Sequence, residues 1–450
     1  MTERQIIHLN NRLGFGISEK ALDQFSFQEF IKQLHTSQAY QEEMTFGDLE
    51  DLNLRSFRMG NREEILKSTR EYMSKMRSAW MGQMIHSPYP ALEKINLFWH
   101  HHFACEIKNP VFARAYSNMI RKNSLGNFRD LLKGVSQSAA MIAYLNLRQN
   151  KKGSPNEDFA RELCELFTLG FNTDYTEDDV KEIARAFTGW SHNFDGSFRL
   201  RRRLHDKGSK SIFGQQGNYD GNEVIDLILE KRSCATFIAR NVYEYFVSAN
   251  HIESHIEELG EVLYNSDYDL RKMFIHLVEA SWFYNEEHIM SRIKSPIEFL
   301  VSMGRQFNLN HEDERAWSYL QKALDQTLYR PPNVAGWKVN RQWINSNSLT
   351  LRLRLPSVLL ADGFIEMNLR PELDEMIKAK VKGNKGFKLL KSFNSDWDLF
   401  FQNNPGGNYK LTLLNNSISP QASKALAKLG SQGDQEKVIQ LMSLPEYQLS

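Results

Sequence analysis

Residues 156–190 read NEDFARELCELFTLGFNTDYTEDDVKEIARAFTGW, and the spacing of their apolar residues decides the fold class. Phe159, Leu163 and Leu166 recur at helical intervals, as do Val180, Ile183, Ala184 and Phe187, which predicts two amphipathic helices in close succession. The first is expected to start at Ser154 as N-cap, with Pro155 at the first helical position and Glu157 three residues on. It stops at Gly170. The second begins after Thr176, whose hydroxyl can cap the amide of Asp179 while Glu177 and Asp178 complement the helix dipole. Asp158, Glu162 and Glu165 fall four and three residues apart on one stripe, so their side chains can converge in chelate geometry. The competing reading is a solvated face on which Arg161 and Glu165 form a surface ion pair worth about 0.3–0.5 kcal/mol.

The rest of the chain bounds what such a site can serve. With 450 residues, 41% hydrophobic and 25% charged, the chain has an ordinary globular composition and buries a large core without disulfides. Lys+Arg 56 against Asp+Glu 55 leaves a net charge of +1, so no global field draws nucleic acid or an anionic membrane, and any anion preference is local. No apolar run approaches the roughly 18 residues of a membrane span. Cys105, Cys164 and Cys234 lack Cys-x-x-Cys spacing, which fits buried thiols in a reducing compartment. The opening MTERQIIHLNN has no apolar signal-peptide core, so the sequence as written reads as cytoplasmic, and as exported only if a leader was removed upstream.

Upstream of the focal pair, helices are expected over 19–34, 62–86, 111–122 and 128–137, leading through 141–148, with a polar stretch at 37–58. Gly14-Phe15-Gly16 follows no strand and is no dinucleotide fingerprint. A further helix carries Leu92, Ile95, Trp99, His100, His101 and His102. Adjacent residues on a helix point about 100° apart, so three consecutive histidines cannot chelate one metal together. His102 shares the Leu92/Ile95/Trp99 side and should face the core; His100 lies nearly opposite. Each is a candidate metal ligand, set against hydrogen-bonded packing.

Downstream, the period changes to alternation around Asp195-Gly196-Ser197, predicting a hairpin whose three-residue loop sets Phe194 opposite Phe198 and His192 opposite Leu200. Its second strand, 198–204, holds Arg199, Arg201, Arg202 and Arg203, and ends at His205, Asp206, Lys207 and Lys210. Such a ribbon can bind an anion through charge-assisted hydrogen bonds, or be merely solvated. His205-Asp206 can act as base and orienter, as a metal ligand, or as a strand-end turn. Helices follow over 222–231, 234–248, 253–264, 270–283, 296–306 and 311–328. The turn 329–337, YRPPNVAGW, excludes helix by its two prolines and places Asn333 and Trp337. Beyond 349 the chain is helical again, loosening at 380–386 and 403–408, with helical segments between 421 and 444. The predicted fold is mainly α: one multi-helical unit over 1–450 with a small β-hairpin insertion near 190–205. Its parts are N-terminal helices 1–150, a motif core 151–215, C-terminal helices with the proline turn 216–348, and a helical extension 349–450.

HLNNRLGFG, LFWHHHF, NEDFARELCELFTLG with YTEDDVKEIARAFTGW, LHDKGSK with Gly214, RPPNVAGW with Trp343, and a tail ending in LPEYQL resemble, in order, the family called domain of unknown function 1800, uncharacterised bacterial proteins. The resemblance implies one mainly helical unit, often exported in other members. It also implies a partner encoded beside it that looks like alkaline phosphatases and sulfatases. Two departures bear on a metal reading: Phe167 stands where ELHTLG has a histidine in many members, and Arg232-Ser233-Cys234-Ala235 stands where a His-Pro pair is expected.

Two functions compete. In one, an enzyme gathers His100 or His102, Glu162, Glu165, His205 and Asp206, with Arg161, Asn333 and Trp337 around them. Such ligands suit zinc, iron or manganese for hydrolysis or oxygen chemistry, and the acids and His205 equally suit acid–base work without metal. In the other, a non-catalytic binding or maturation factor holds a partner protein or anionic ligand on Arg201, Arg203 and Lys210. A purely structural reading pairs Glu162 with a buried cation such as Arg185.

Overall fold

The computed structural model describes residues 1–35, 43–44, 62–171, 173–361, 393–427 and 433–450. The polar stretch expected at 37–58, Glu43 and Met44 apart, and the loosening at 380–386 lie outside them. Within the described residues the chain is mainly α-helical, with three two-stranded antiparallel sheets.

Packing is organised on the helix Pro90–His102, where Pro90 and His101 alone keep partial exposure. A helix buried on every face must neutralise its polar residues. Glu93 does so with Arg121 and Lys94 with Glu298. This is also why the inside/outside reading of the histidines needs correction: His100, expected opposite the core, is as interior as His102. One apolar cluster runs from Leu9 to Tyr447 around this helix, and it holds Cys105, Cys164 and Cys234 as free thiols.

Glu298 opens the helix Pro296–Phe307 through a capping box with Ser295 and also pairs with Arg292. Five buried cations, Arg12, Lys94, Arg292, Lys294 and Arg352, gather around this carboxylate. Several are satisfied by main-chain oxygens, Lys294 by Tyr447 O at 2.9 Å and Arg352 by Lys294 O at 2.7 Å. The tail docks there too, Ile293 pairing with Leu449.

Several expected elements differ. The single helix over 19–34 is two, Glu19–Asp23 and Phe27–His35, because the Ser26 hydroxyl accepts the Glu29 amide three residues on and starts a second helix, as Ser18 does with the Ala21 amide for the first. The helix over 311–328 shortens to Arg315–Ala323, with His311 paired to Phe393 in a two-residue ladder. The hairpin forms, but His192 stands opposite Phe198 and Trp190 opposite Leu200. Asp195 Oδ1 accepts the Ser197 amide at 2.9 Å and Asn193 N donates to Ser197 O at 2.7 Å, making a five-residue loop. The slip is two residues, so each side chain keeps its face. The second strand ends at Leu200, since Arg201 N bonds back to Gly189 O and the chain turns through 201–204. A second hairpin, Lys210–Ile212 with Gln215–Gly217, was not anticipated; Phe213 and Gly214 at its tip both have positive φ, as a tight two-residue loop needs.

Candidate functional site

The focal segment starts later and winds wider than its spacing predicts. Ser154 forms a tight turn with Lys151 instead of a cap, and the helix Asp158–Glu162 begins where Asn156 Oδ1 takes the Asp158 amide at 3.1 Å. Buried Asn150 pins this entry, accepting from Asn156 N and donating to Ala184 O. From Leu163 to Thr168 the turn widens to a π-helix, Leu169 N and Gly170 N both reaching Cys164 O. Gly170 then ends it at positive φ. Such widened turns are rare and recur at functional sites.

The acids have different surroundings. Glu165 bonds Arg161 and lines a cavity, whereas Glu162 is half-buried within electrostatic reach of Asp158, Glu165 and Tyr144. Burial, then the neighbouring Glu165 charge, raise the Glu162 carboxyl above its ordinary range. Arg161 is shared among Glu157, Glu165 and Glu177 at 3.2, 3.3 and 2.8 Å. The Thr176 cap forms as expected, as a capping box with Asp179 on the helix Glu177–Ala186.

The cavity Glu165 lines has a volume of about 230 Å³ and lies where three motif segments meet the helix Arg232–Phe246. His101 and His102 come from the histidine helix, Leu166 and Phe171 from the π-turn and its exit, Val334, Ala335 and Val339 from the proline turn. Phe237, Asn241, Glu244 and Tyr245 come from the Arg232–Phe246 helix. Asn241 and Glu244 belong to no motif in the sequence, although the spacing 237, 241, 244 marks one helical stripe.

The histidines are held by main chain. His100 Nε2 accepts from Tyr329 N at 3.1 Å, while His102 Nε2 donates to Phe167 O at 3.1 Å, so the two rings carry opposite tautomers. Burial lowers the pKa of His100 and His102 to about 3 and of His101 to about 4, leaving all three neutral. With those nitrogens engaged, His100 and His102 present no common ligand pair, and among the described residues no three His, Cys, Asp or Glu side chains gather as a metal would require. Trp337 packs buried against His100 and His101, ring centres 5.2 and 6.1 Å away; Asn333 is exposed and uses its side chain to accept the Ala335 amide.

His205 and Asp206 are elsewhere, in an open groove of about 530 Å³ lined by Lys152, Gly153, Arg202, Arg203, His205, Asp206 and Lys207. The helix Glu177–Ala186 separates the two places: Glu177 reaches Arg161 beside the cavity, and Arg185 at the other end holds Asp206 at 2.9 Å. Ten helical residues span roughly 15 Å. Asp206 therefore pairs with Arg185, not with His205, and Arg185 with the neighbouring amide of Gly208 keeps its carboxyl low despite partial burial. His205 is oriented by Thr188, whose carbonyl accepts from Nδ1 at 2.9 Å, leaving Nε2 toward the groove. Lys210 is buried and spends its ammonium on Asp206 O, Gly208 O and Asn218, closing the loop. Arg201 is half-buried and lies outside the groove lining. The four segments expected to converge thus form two places, with Glu165, His102 and the proline turn in one and His205, Asp206 and Arg203 in the other.

The sequence model of a family described as protein of unknown function, DUF1800, matches residues 8–449. The chain belongs to the DUF1800 family. Comparison with curated proteins and with solved structures returned no match. Three of the motifs that carry the DUF1800 resemblance, those of the histidine helix, the π-turn and the proline turn, supply the cavity wall together. Phe167, at the position where the resemblance implies a histidine, is buried with its ring centre 6.5 Å from His102. Arg232, at the other departure, is exposed and pairs with Glu261. Among the described residues of this DUF1800 chain no helix is long and apolar enough to cross a membrane.

Proposed function

We propose that this protein is a non-catalytic binding or maturation factor that holds an anionic group of a partner protein in the groove beside His205. One observation carries the reading: Lys152, Arg202, Arg203 and Lys207 line the groove, all exposed and none in an ion pair with another described residue, while Asp206, the single carboxylate among the described lining residues, is already taken by Arg185. Unpaired guanidinium groups with their forks free recognise carboxylate or phosphate oxygens in pairs. In a chain of net charge +1 this is a local field, suited to one anionic patch and not to the long backbone of a nucleic acid. The partner that the family resemblance implies, a protein like the alkaline phosphatases and sulfatases, is the first candidate.

A second reading rests on His205. With Nδ1–H held by Thr188 O, its Nε2 lone pair stands among the groove cations, the arrangement of a base beside a bound anion. A hexa-glutamate peptide titrated calorimetrically at about 50 and 200 mM salt tests the groove as an anion site, on which both readings rest. Wild type is expected to bind more weakly at the higher salt, and Arg202→Ala/Arg203→Ala to lose at least about tenfold in affinity. Glu165→Gln, remote from the groove, should bind as wild type. Undetectable binding by wild type, or equal binding by the double variant, would remove the groove from consideration.

A further inference from the structure

The cavity at the histidine helix has the opposite polarity from the groove and calls for a different ligand. Two carboxylates line it, Glu165 and Glu244, and among the described residues no lysine or arginine does. The nearest cation to Glu165, Arg161, is divided among three acids, so one positive charge answers three negative ones there. Glu244 has His251 Nε2 at 3.6 Å, beyond hydrogen-bond length, and Arg240 within electrostatic reach, but that guanidinium is bonded to Glu253 at 2.8 and 2.6 Å. Asn241 gives its amide N–H to Phe237 O at 3.0 Å, which leaves its carbonyl oxygen to accept from a donor. The imidazoles in the wall are neutral by burial and add no positive charge.

A second, independent observation concerns the aromatic walls. Phe98, Phe237 and Tyr245 present ring surface to the same space, and Phe171, 63% exposed, stands at its edge. Aromatic faces and carboxylates together attract an organic cation, whose charge meets the ring quadrupoles while donors reach the oxygens. A purely apolar guest would leave the carboxylates unanswered. The volume of about 230 Å³ lies below that of pockets for drug-sized ligands and fits a short stem.

We propose that this cavity binds a primary ammonium or guanidinium group carried on a short apolar stem, such as a small aliphatic amine or the side chain of a lysine or arginine. The site goes beyond the anion groove, and the two fail separately because they share no residue. Calorimetric titration of the full chain with n-pentylammonium, 1-pentanol and Nα-acetyl-lysine methylamide tests it. Saturable binding of pentylammonium is expected, at least about tenfold tighter than pentanol, with Glu244→Gln and Phe171→Ala each losing most of that preference. Phe171 is exposed, so its variant should keep the wild-type melting temperature, and Arg202→Ala/Arg203→Ala should bind pentylammonium unchanged. Lysine-derivative binding equal to pentylammonium upholds the site with a polypeptide side chain as guest; weaker binding upholds it with a free amine. Equal affinity for pentanol, no saturable binding, or indifference to Glu244→Gln overturns the proposal.

Discussion

Glu298 shows how much a single buried group can decide. Burial alone would raise its carboxyl, but Arg292 and Lys94 outweigh that and hold it ionised well below the usual carboxylate range. Glu298→Gln would strand both cations in the interior, an expected loss of about 3–5 kcal/mol in urea denaturation, and a loss under about 1 would mean that water reaches them. Glu162 is the opposite case. Its pKa is raised by burial and by Glu165, so the ionised form is the strained one in the folded chain, and stability falls as pH rises through that window. Glu162→Gln should therefore leave the melting temperature unchanged or slightly higher, within about 0.5 kcal/mol. A clear loss would reveal a partner for its carboxylate. Arg185, suggested by sequence as that partner, is held by Glu182 and Asp206. Residue types were readable at these positions; their partners were not, because long side chains choose among neighbours that only packing supplies.

At the scale of elements, helix existence was legible from period and caps, and the helices Arg62–His86 and Phe128–Gln137 run over the predicted residues. Local hydrogen-bonding competition was not. The π-turn, the Ser26 break and the five-residue hairpin loop each arise where a side chain or a widened turn satisfies an amide that the simple period would have used elsewhere. Two glycine-tryptophan endings, similar in sequence, prove similar in use. A Cβ on Gly189 would stand 2.8 Å from Arg201 O, and on Gly336 2.9 Å from His101 O, both at positive φ. Each lets a loop press against one of the two candidate places. Gly336→Ala is expected to cost about 1–3 kcal/mol. Gly153→Ala, positive in φ but with open space around it, should cost only about 1 by the same denaturation assay, and equal losses would remove the close approach as the cause.

For the whole molecule, burial of titratable groups sets a pH dependence. His100, His101 and His102 are held neutral down to about 3, 4 and 3 against an ordinary 6.5. The unfolded chain binds protons below 6.5 that the folded chain refuses, so stability should fall as pH drops from 6.5 toward 4, by at most about 1.4 kcal/mol per unit for each ring. Lys294, lowered to about 7 by burial and by Arg352 and Lys94, acts in the same direction higher up: stability should rise with pH between about 7 and 9, above which the three buried thiols, pushed up by burial, oppose it. Melting temperatures across pH 4–9 check both, and a Lys294→Met variant should lose the part of the upper slope that begins near 7, Lys94, lowered to about 8, keeping the rest. A flat profile would contradict the buried-neutral assignment.

The amino-acid order alone determined that this chain is mainly helical, where most helices lie, that its thiols are interior, and which motifs carry function-bearing residue types. Periodicity and capping are local, so a chain read one turn at a time reveals them. Only the tertiary structure decided that those motifs serve two places and not one. The helix Glu177–Ala186 stands between Glu165 and His205. Which distant side chains share a wall depends on the packing of helices separated by up to hundreds of residues, and no local pattern encodes that.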